Sequence, residues 1–273
     1  MSSQSNKAAT SDTATTSARS SASRLFLRFL GGVACFYLVI LGYHFLVPKT
    51  VKATESTAFL ERCRLMCESY GLIPTGRIDD DARQFLKATE QERLRGTLAS
   101  VLAEDVADVP SQDHRLLGQT APDFSLLDPS RRRVELANIN PGRPKIVVFY
   151  YGYFCSHCVA QLFALNDDLK LIEESGATVV AISGDDPETT AKRYSQYGEF
   201  DFLVLSDPDN AVAQAYDVFT PATETADEDI LHGTFVVDGA GQVVWAETGY
   251  EPFTNNRFLV HLLNKLPAAD STP

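Results

Sequence analysis

Apolar positions in the second half of the chain come in short blocks whose spacing changes from block to block. Ile146–Tyr151 is an unbroken apolar run with the length and β-branched content of a buried strand. It stops at Gly152, and from Cys155 the apolar positions Val159, Leu162, Phe163 and Leu169 follow at helical spacing. Upstream, Phe124–Leu127 and Val134–Leu136 predict a short hairpin around Asp128–Arg132. Downstream, the pattern predicts strands at Thr178–Ile182, Phe202–Leu205, Thr234–Val237 and Val243–Glu247. Helices are predicted at Glu188–Tyr197, Ala211–Tyr216 and from about Asn255 to Lys265. Strands alternating with helices predict an α/β domain over 115–266, built on a central mixed β-sheet flanked by helices, with a tail at 267–273.

The first hundred residues are patterned differently. Residues 1–24 are mostly Ser, Thr and Ala, the composition of a disordered tail. Leu25–Val47 is apolar, and no residue from Phe29 to Val47 carries a formal charge, a length sufficient for a helix to cross a bilayer. Lys7, Arg19, Arg24 and Arg28 precede or open this stretch, while Lys49 and Lys52 follow it. That bias predicts a single-pass anchor over 25–47, with the tail cytoplasmic and the folded part extracytoplasmic, periplasmic if the cell is bacterial. A cleaved secretory leader is the alternative, but the run is long for one and no small-x-small site follows it before Pro48. A Ser-rich, acid-poor leader also leaves an organellar membrane open. Cys35 lies inside the span and reads as a small hydrophobe.

Between anchor and α/β domain, helical spacing recurs over 54–70, with Gly71 as a stop, and over about 80–103. Together they predict a helical hairpin neck over 54–104, followed by a polar linker at 104–116. Cys63 and Cys67 share one helix face. Either they pack in the hairpin seam, or they form a second redox pair that exchanges with another. An i,i+4 bridge strains disulfide geometry, so packing is the expectation.

The formal net charge of −12 argues against a nucleic-acid surface, and no basic run longer than Arg131–Arg133 contradicts that. The chemistry points instead to Cys155-Ser-His-Cys158, where the predicted strand feeds the predicted helix. A Cys-x-x-Cys turn in that position is the sequence form of a thioredoxin-like redox site. Cys155 would sit at the helix N-terminus, where unpartnered N–H groups and the macrodipole stabilise a thiolate. Cys158, one turn on, can close a disulfide with it. The chain has no second C-x-x-C, which argues against a structural Cys₄ zinc site. No cofactor is expected.

Several motifs in order resemble the AhpC/TSA redoxins, the peroxiredoxin-like branch of the thioredoxin fold. Gly118-Gln-Thr-Ala-Pro-Asp-Phe124 is similar to their opening motif, and Val180-Ala-Ile-Ser183 with Asp186-Pro-Glu188 to their next strand and loop. Leu205-Ser-Asp-Pro-Asp209 and His232-Gly-Thr-Phe-Val-Val-Asp238 resemble their later strands. Phe149-Tyr-Tyr-Gly-Tyr-Phe-Cys-Ser-His-Cys158 resembles their F-Y-R-G-x-W-C-P-x-C subgroup, departing at Tyr151, Phe154 and Ser156. The resemblance covers about 115–265. It implies a thioredoxin-like fold and a thiol oxidoreductase, which the predicted 25–47 helix would anchor to a membrane. Cys155 would be the nucleophile and Cys158 the resolving thiol. The partners it implies are a thiol or disulfide protein, or a peroxide, and an unidentified electron donor.

Departures from the family narrow this. Peroxiredoxins place Thr or Ser three residues before the attacking Cys and Pro seven before it; here those positions are Gly152 and Val148. The hydroxyl that orients peroxide is therefore missing, and disulfide exchange is expected ahead of efficient peroxidase activity. Thioredoxin-like reductases carry a cis-proline where this chain has His232. His157 stands inside the motif, as in strongly oxidising thiol oxidases, where a cation lowers the attacking thiol's pKa; the alternative is a solvated residue on the helix's first turn. His232 is expected opposite Cys155, either tuning the thiol or packing. Cys155, Cys158 and His232 together also resemble the soft-metal set of Sco-type copper chaperones, although those space their cysteines C-x₃-C. Copper binding at those three residues is the rival reading.

Overall fold

The computed structural model describes residues 29–33, 36, 37 and 57–267. The chain divides by contacts into residues 1–54 and 55–273. Of the first unit, residues 29–33, 36 and 37 are helical and exposed. The rest of the expected 25–47 anchor and of the 1–24 tail lies outside the described residues, as does the 267–273 tail beyond residue 267. Among the described residues, no helix is long and apolar enough to cross a membrane.

The second unit opens with α1 (Thr57–Ser69), which ends at Gly71, where φ is 67°. Next come α2 (Ile78–Ala88) and α3 (Leu98–Leu102). The 80–103 stretch expected as one helix is thus two. Thr89 caps α2, Glu90 adopts φ 56°, and Gly96 adopts φ 95° before Thr97 and Ser100 form a capping box for α3. Between them Leu94 is buried, and its N–H donates to Asp168 at 2.9 Å.

The sheet strands are β1 (Ser125–Leu127), β2 (Arg133–Glu135), β3 (Lys145–Phe149), β4 (Thr178–Ser183) and β5 (Leu203–Ser206). Interleaved with β3–β5 are α4 (Ser156–Glu174) and α5 (Pro187–Tyr197), and α6 (Ala211–Ala215) follows. Two short paired strands, β6 (Phe219–Thr220) and β7 (Asp229–Ile230), form a separate ribbon. The chain then completes the main sheet with β8 (His232–Val237) and β9 (Val243–Gly249) and closes on α7 (Asn256–Lys265). The main sheet has the order β2-β1-β5-β4-β3-β8-β9. Its centre, β3–β4 and β4–β5, is parallel, while β1–β5, β3–β8 and β8–β9 are antiparallel. This is the mixed sheet of a thioredoxin-like α/β fold, as the alternating pattern predicts.

β3 explains why its sequence is continuously apolar. Ile146 and Val148 face one core cluster, Val147 and Phe149 the other, so both faces of the strand are covered. The cluster on the α4 side also takes in Ala82, Phe85 and Leu86 of α2, Leu94, and Val101 of α3. These helices therefore pack on the redox domain's core rather than standing apart as a neck. The expected 104–116 linker is likewise engaged. Trp245 Nε1 donates to the Val109 carbonyl at 3.0 Å, and Gln112 N to the Ala246 carbonyl at 3.0 Å, which covers the outer edge of β9. Packing of Phe85 generates a prediction: Phe85→Ala should destabilise residues 55–273 by about 3–5 kcal/mol in urea unfolding, whereas an independent neck would leave the main transition unchanged.

Candidate redox site

β3 delivers the chain into a turn that reverses direction before α4. Tyr150 and Tyr151 continue beyond the strand, both buried, and Gly152 makes the turn with φ 131°. A Cβ there would lie 2.9 Å from both carboxylate oxygens of Asp185 and 3.0 Å from the Phe154 ring. Tyr153 N donates to Asp185 Oδ2 at 2.8 Å, which fixes the turn. The sequence marked Gly152 as a missing hydroxyl. Here its place is taken by close approach of a carboxylate, and neither Thr nor Ser fits this backbone.

Cys155 is the N-cap residue of α4, with extended backbone (φ −116°, ψ 110°), and Cys158 lies in the helix's first turn. They are joined in a disulfide with Cα atoms 5.3 Å apart. Burial is nearly complete: Cys155 is 5% exposed and Cys158 0%. His157, between them, is 1% exposed. Its Nδ1 lies 3.2 Å from Cys155 Sγ, and its Nε2 3.6 Å from Cys158 Sγ. Phe85 of α2 covers the ring, with centroids 5.8 Å apart. The solvated alternative for His157 is therefore overturned, because α1 and α2 close over the first turn of α4.

That burial also changes what His157 can do. Desolvation lowers its pKa from 6.5 to about 4, so the ring is neutral at physiological pH beside the oxidised pair. It acts there as a hydrogen-bonding group, not as the fixed cation the motif suggested.

His232 opens β8. The register that sets Phe149 opposite Gly233 brings His232 beside the turn after β3. A Cβ on Gly233 would meet Val218 Cγ1 at 2.6 Å, so only glycine allows this approach. The His232 ring is buried, 4.3 Å from the Tyr151 ring and 6.0 Å from the His157 ring, centroid to centroid. Both ring nitrogens lack hydrogen-bond partners. Burial holds its pKa well below 6.5, with the nearby His157 acting in the same direction.

The surprise is α1. Cys63 Sγ lies 3.6 Å from Cys155 Sγ, and Cys67 Sγ lies 3.5 Å from His157 Nδ1. Both are thiols, half-buried, and burial raises the Cys67 pKa against a weaker opposing hydrogen bond from Ser156. The expected packing of these cysteines inside a hairpin seam is not what forms: they face the redox turn. Their i,i+4 spacing was legible, but which surface that face meets was not. Arg62 anchors the helix, pairing with Asp229 at 2.7 Å and stacking 4.2 Å from the Tyr250 ring centroid, and Tyr250 Oη donates to Asp229 at 2.9 Å.

Among the described residues, the one group able to hold a metal ion is Cys63, Cys155, His157 and Cys158, whose ligand atoms lie within 4.8 Å of one another. His232 is not part of it. The copper set of Cys155, Cys158 and His232 therefore does not converge as expected, since His232 packs against Tyr151 while His157 turns inward. Three thiols and an imidazole would suit a soft ion only with the disulfide reduced.

The buried imidazole makes a signed prediction. Between about pH 6.5 and 4 the unfolded chain takes up a proton on residue 157 that the folded chain refuses, so stability rises with pH across that window and is lost as pH falls through it. His157→Met removes this proton. Its stability should fall less steeply from pH 6.5 to 4, by on the order of 3 kcal/mol in total. Parallel curves for the two proteins would show that residue 157 titrates normally.

Residues 117–246 match the AhpC/TSA family. Alkyl hydroperoxide reductase E of Mycobacterium tuberculosis is 37% identical over 133 residues, which cover 48% of this chain and 84% of that protein. Putative peroxiredoxin Q, chloroplastic, of Oryza sativa subsp. indica is 35% identical over 101 residues, covering 37% of this chain and 46% of that protein. Among solved structures, peroxidoxin BcpB from Mycobacterium tuberculosis aligns at a TM-score of 0.49 and 23% identity, over 56% of this chain and 97% of that one.

Proposed function

The chain belongs to the AhpC/TSA family, and from that premise we propose that it is a thiol-disulfide oxidoreductase cycling between a Cys155–Cys158 disulfide and two thiols. The observation that carries this reading is the disulfide at the N-terminus of α4. In the reduced protein the Cys155 thiolate attacks one sulfur of a disulfide substrate, and the other leaves as a thiolate. Cys158 then attacks Cys155 Sγ, expels the second substrate thiolate and closes the intramolecular bond. Two electrons pass from protein to substrate. Unpartnered N–H groups of the first turn of α4 support the Cys155 thiolate. His157, as a neutral donor 3.6 Å from Cys158 Sγ, supports the second sulfur.

Disulfide exchange is favoured over efficient peroxide reduction by the Gly152 turn. The relatives' names point to hydroperoxides as substrates, and a sulfenate on Cys155 would be resolved by Cys158 in the same way. But position 152 has no hydroxyl, a Cβ there would crowd the Asp185 carboxylate, and that carboxylate offers no donor to a peroxide.

The roles separate in single turnover, read in reduced protein carrying Cys35→Ala, Cys63→Ala and Cys67→Ala so that only this pair reacts. Adding Cys158→Ser should leave one reagent thiolate released per protein and a stable adduct on Cys155. Adding Cys155→Ser should lower the release rate by about a hundredfold or more, roughly 2.7 kcal/mol in barrier. Fast release from the Cys155→Ser protein would reverse the assignment.

Attachment to a membrane through residues 25–47 is part of the proposal, with the redox domain on the extracytoplasmic side. It rests on the uncharged apolar run from Phe29 to Val47. The full chain should sediment with membranes, and a protein lacking residues 1–52 should not. A full chain recovered in the soluble fraction would remove the anchor from the reading.

A further inference from the structure

The redox pair is buried, yet an oxidoreductase must exchange electrons with something outside. Cys155 and Cys158 are 5% and 0% exposed, and α1 lies across them, held by the Arg62–Asp229–Tyr250 cluster. A protein dithiol cannot bring its sulfur to either atom while that helix is seated. Cys63, on the same helix, is half-buried rather than buried, and its Sγ is in van der Waals contact with Cys155 Sγ at 3.6 Å. That separation is close to the range from which bond formation proceeds without rearranging the backbone. The helix lies outside residues 117–246, so this thiol is an addition to the part of the chain that matches the family.

We propose that Cys63 is the relay thiol through which an external dithiol protein reduces the buried Cys155–Cys158 disulfide. This rests on the reading of that disulfide as the redox pair. The Cys63 thiolate attacks Cys155 Sγ, forming a Cys63–Cys155 bond as the Cys155–Cys158 bond breaks. Cys158 leaves as a thiolate beside His157 Nε2, at 3.6 Å. One thiolate of the external dithiol next attacks Cys63 Sγ and releases Cys155 as a thiolate. The partner's second thiol attacks its own mixed-disulfide sulfur and releases Cys63. Two electrons and two protons have left the partner, which ends as a disulfide, and Cys155 and Cys158 are thiols. The half-exposed sulfur faces the large partner, and the buried one never has to.

Two measurements test the relay. First, reduced protein carrying Cys35→Ala, Cys67→Ala and Cys158→Ser, with Cys63 intact, is treated with one equivalent of a small aromatic disulfide. Cys63 should then resolve the Cys155 adduct, so two reagent thiolates are released and non-reducing peptide mapping finds a Cys63–Cys155 bond. Cys63→Ser in the same protein should stop at one thiolate, with the adduct kept on Cys155. Second, reduction of the oxidised wild-type chain by a thioredoxin-type protein dithiol should slow at least tenfold in Cys63→Ser and in Cys63→Ala. Unchanged melting temperatures for both variants would show that the fold is intact. A Cys155 adduct that persists beside an alkylatable Cys63, or an unchanged reduction rate, overturns the relay. Neither result touches the Cys155–Cys158 assignment, which is read in protein lacking Cys63 and Cys67.

Discussion

Burial of the Cys155-to-Cys158 turn is the constraint on which the rest of this molecule depends. A helix N-terminus favours a thiolate by roughly 0.3–1 kcal/mol, up to about 2 in partly buried geometries. Desolvation works against every charge in the same space. For His157 it wins, moving the ring from 6.5 to about 4, and for His232 the direction is the same. The site therefore contains the first turn of α4 and two neutral imidazoles, of which His157 lies within hydrogen-bonding reach of the sulfurs. Neither imidazole supplies a fixed positive charge beside the pair.

The turn before Cys155 combines the family's strand-to-helix scaffold with a backbone conformation that favours glycine. The mixed sheet, the strand feeding α4 and the late strand β8 all persist. At Gly152 the backbone adopts φ 131° and Asp185 comes close enough to exclude any Cβ. Position 152 is a backbone turn pinned by a carboxylate, through Tyr153 N donating to Asp185 Oδ2. A similar close approach occurs at Gly233, where the absence of a side chain lets β8 press against Val218 and Phe149 and carry His232 to the site. Two glycines thus decide which groups can approach the sulfurs.

Burial creates an access problem, and α1 both causes it and contains a means to solve it. The helix that seals the disulfide presents Cys63 to Cys155 on one side and leaves that thiol half-exposed on the other. Its anchoring pair, Arg62 and Asp229, is itself substantially solvent-exposed, so the seal is worth modest energy and is sensitive to salt. Such a cover can be positioned accurately without being permanently locked.

The sequence alone determined the α/β alternation, the strand-to-helix placement of Cys155 and Cys158, and the loss of the family hydroxyl at position 152. Each of these is local: a period, a spacing, a residue type at a fixed offset. Two-residue strands such as β6 and β7 left no period to read, and the break between α2 and α3 depends on Leu94 being drawn down to Asp168, 74 residues away in the chain. The neighbours of a helix face are equally nonlocal. Nothing in the spacing of Cys63 and Cys67 says that their face meets α4, and nothing in Ser-His-Cys says whether the imidazole points to water or to sulfur. Those outcomes came from long-range packing of α1 and α2 onto the core. They could be decided only by the tertiary structure, because burial, and with it charge state and access, belongs to the whole set of neighbours rather than to any one stretch of chain.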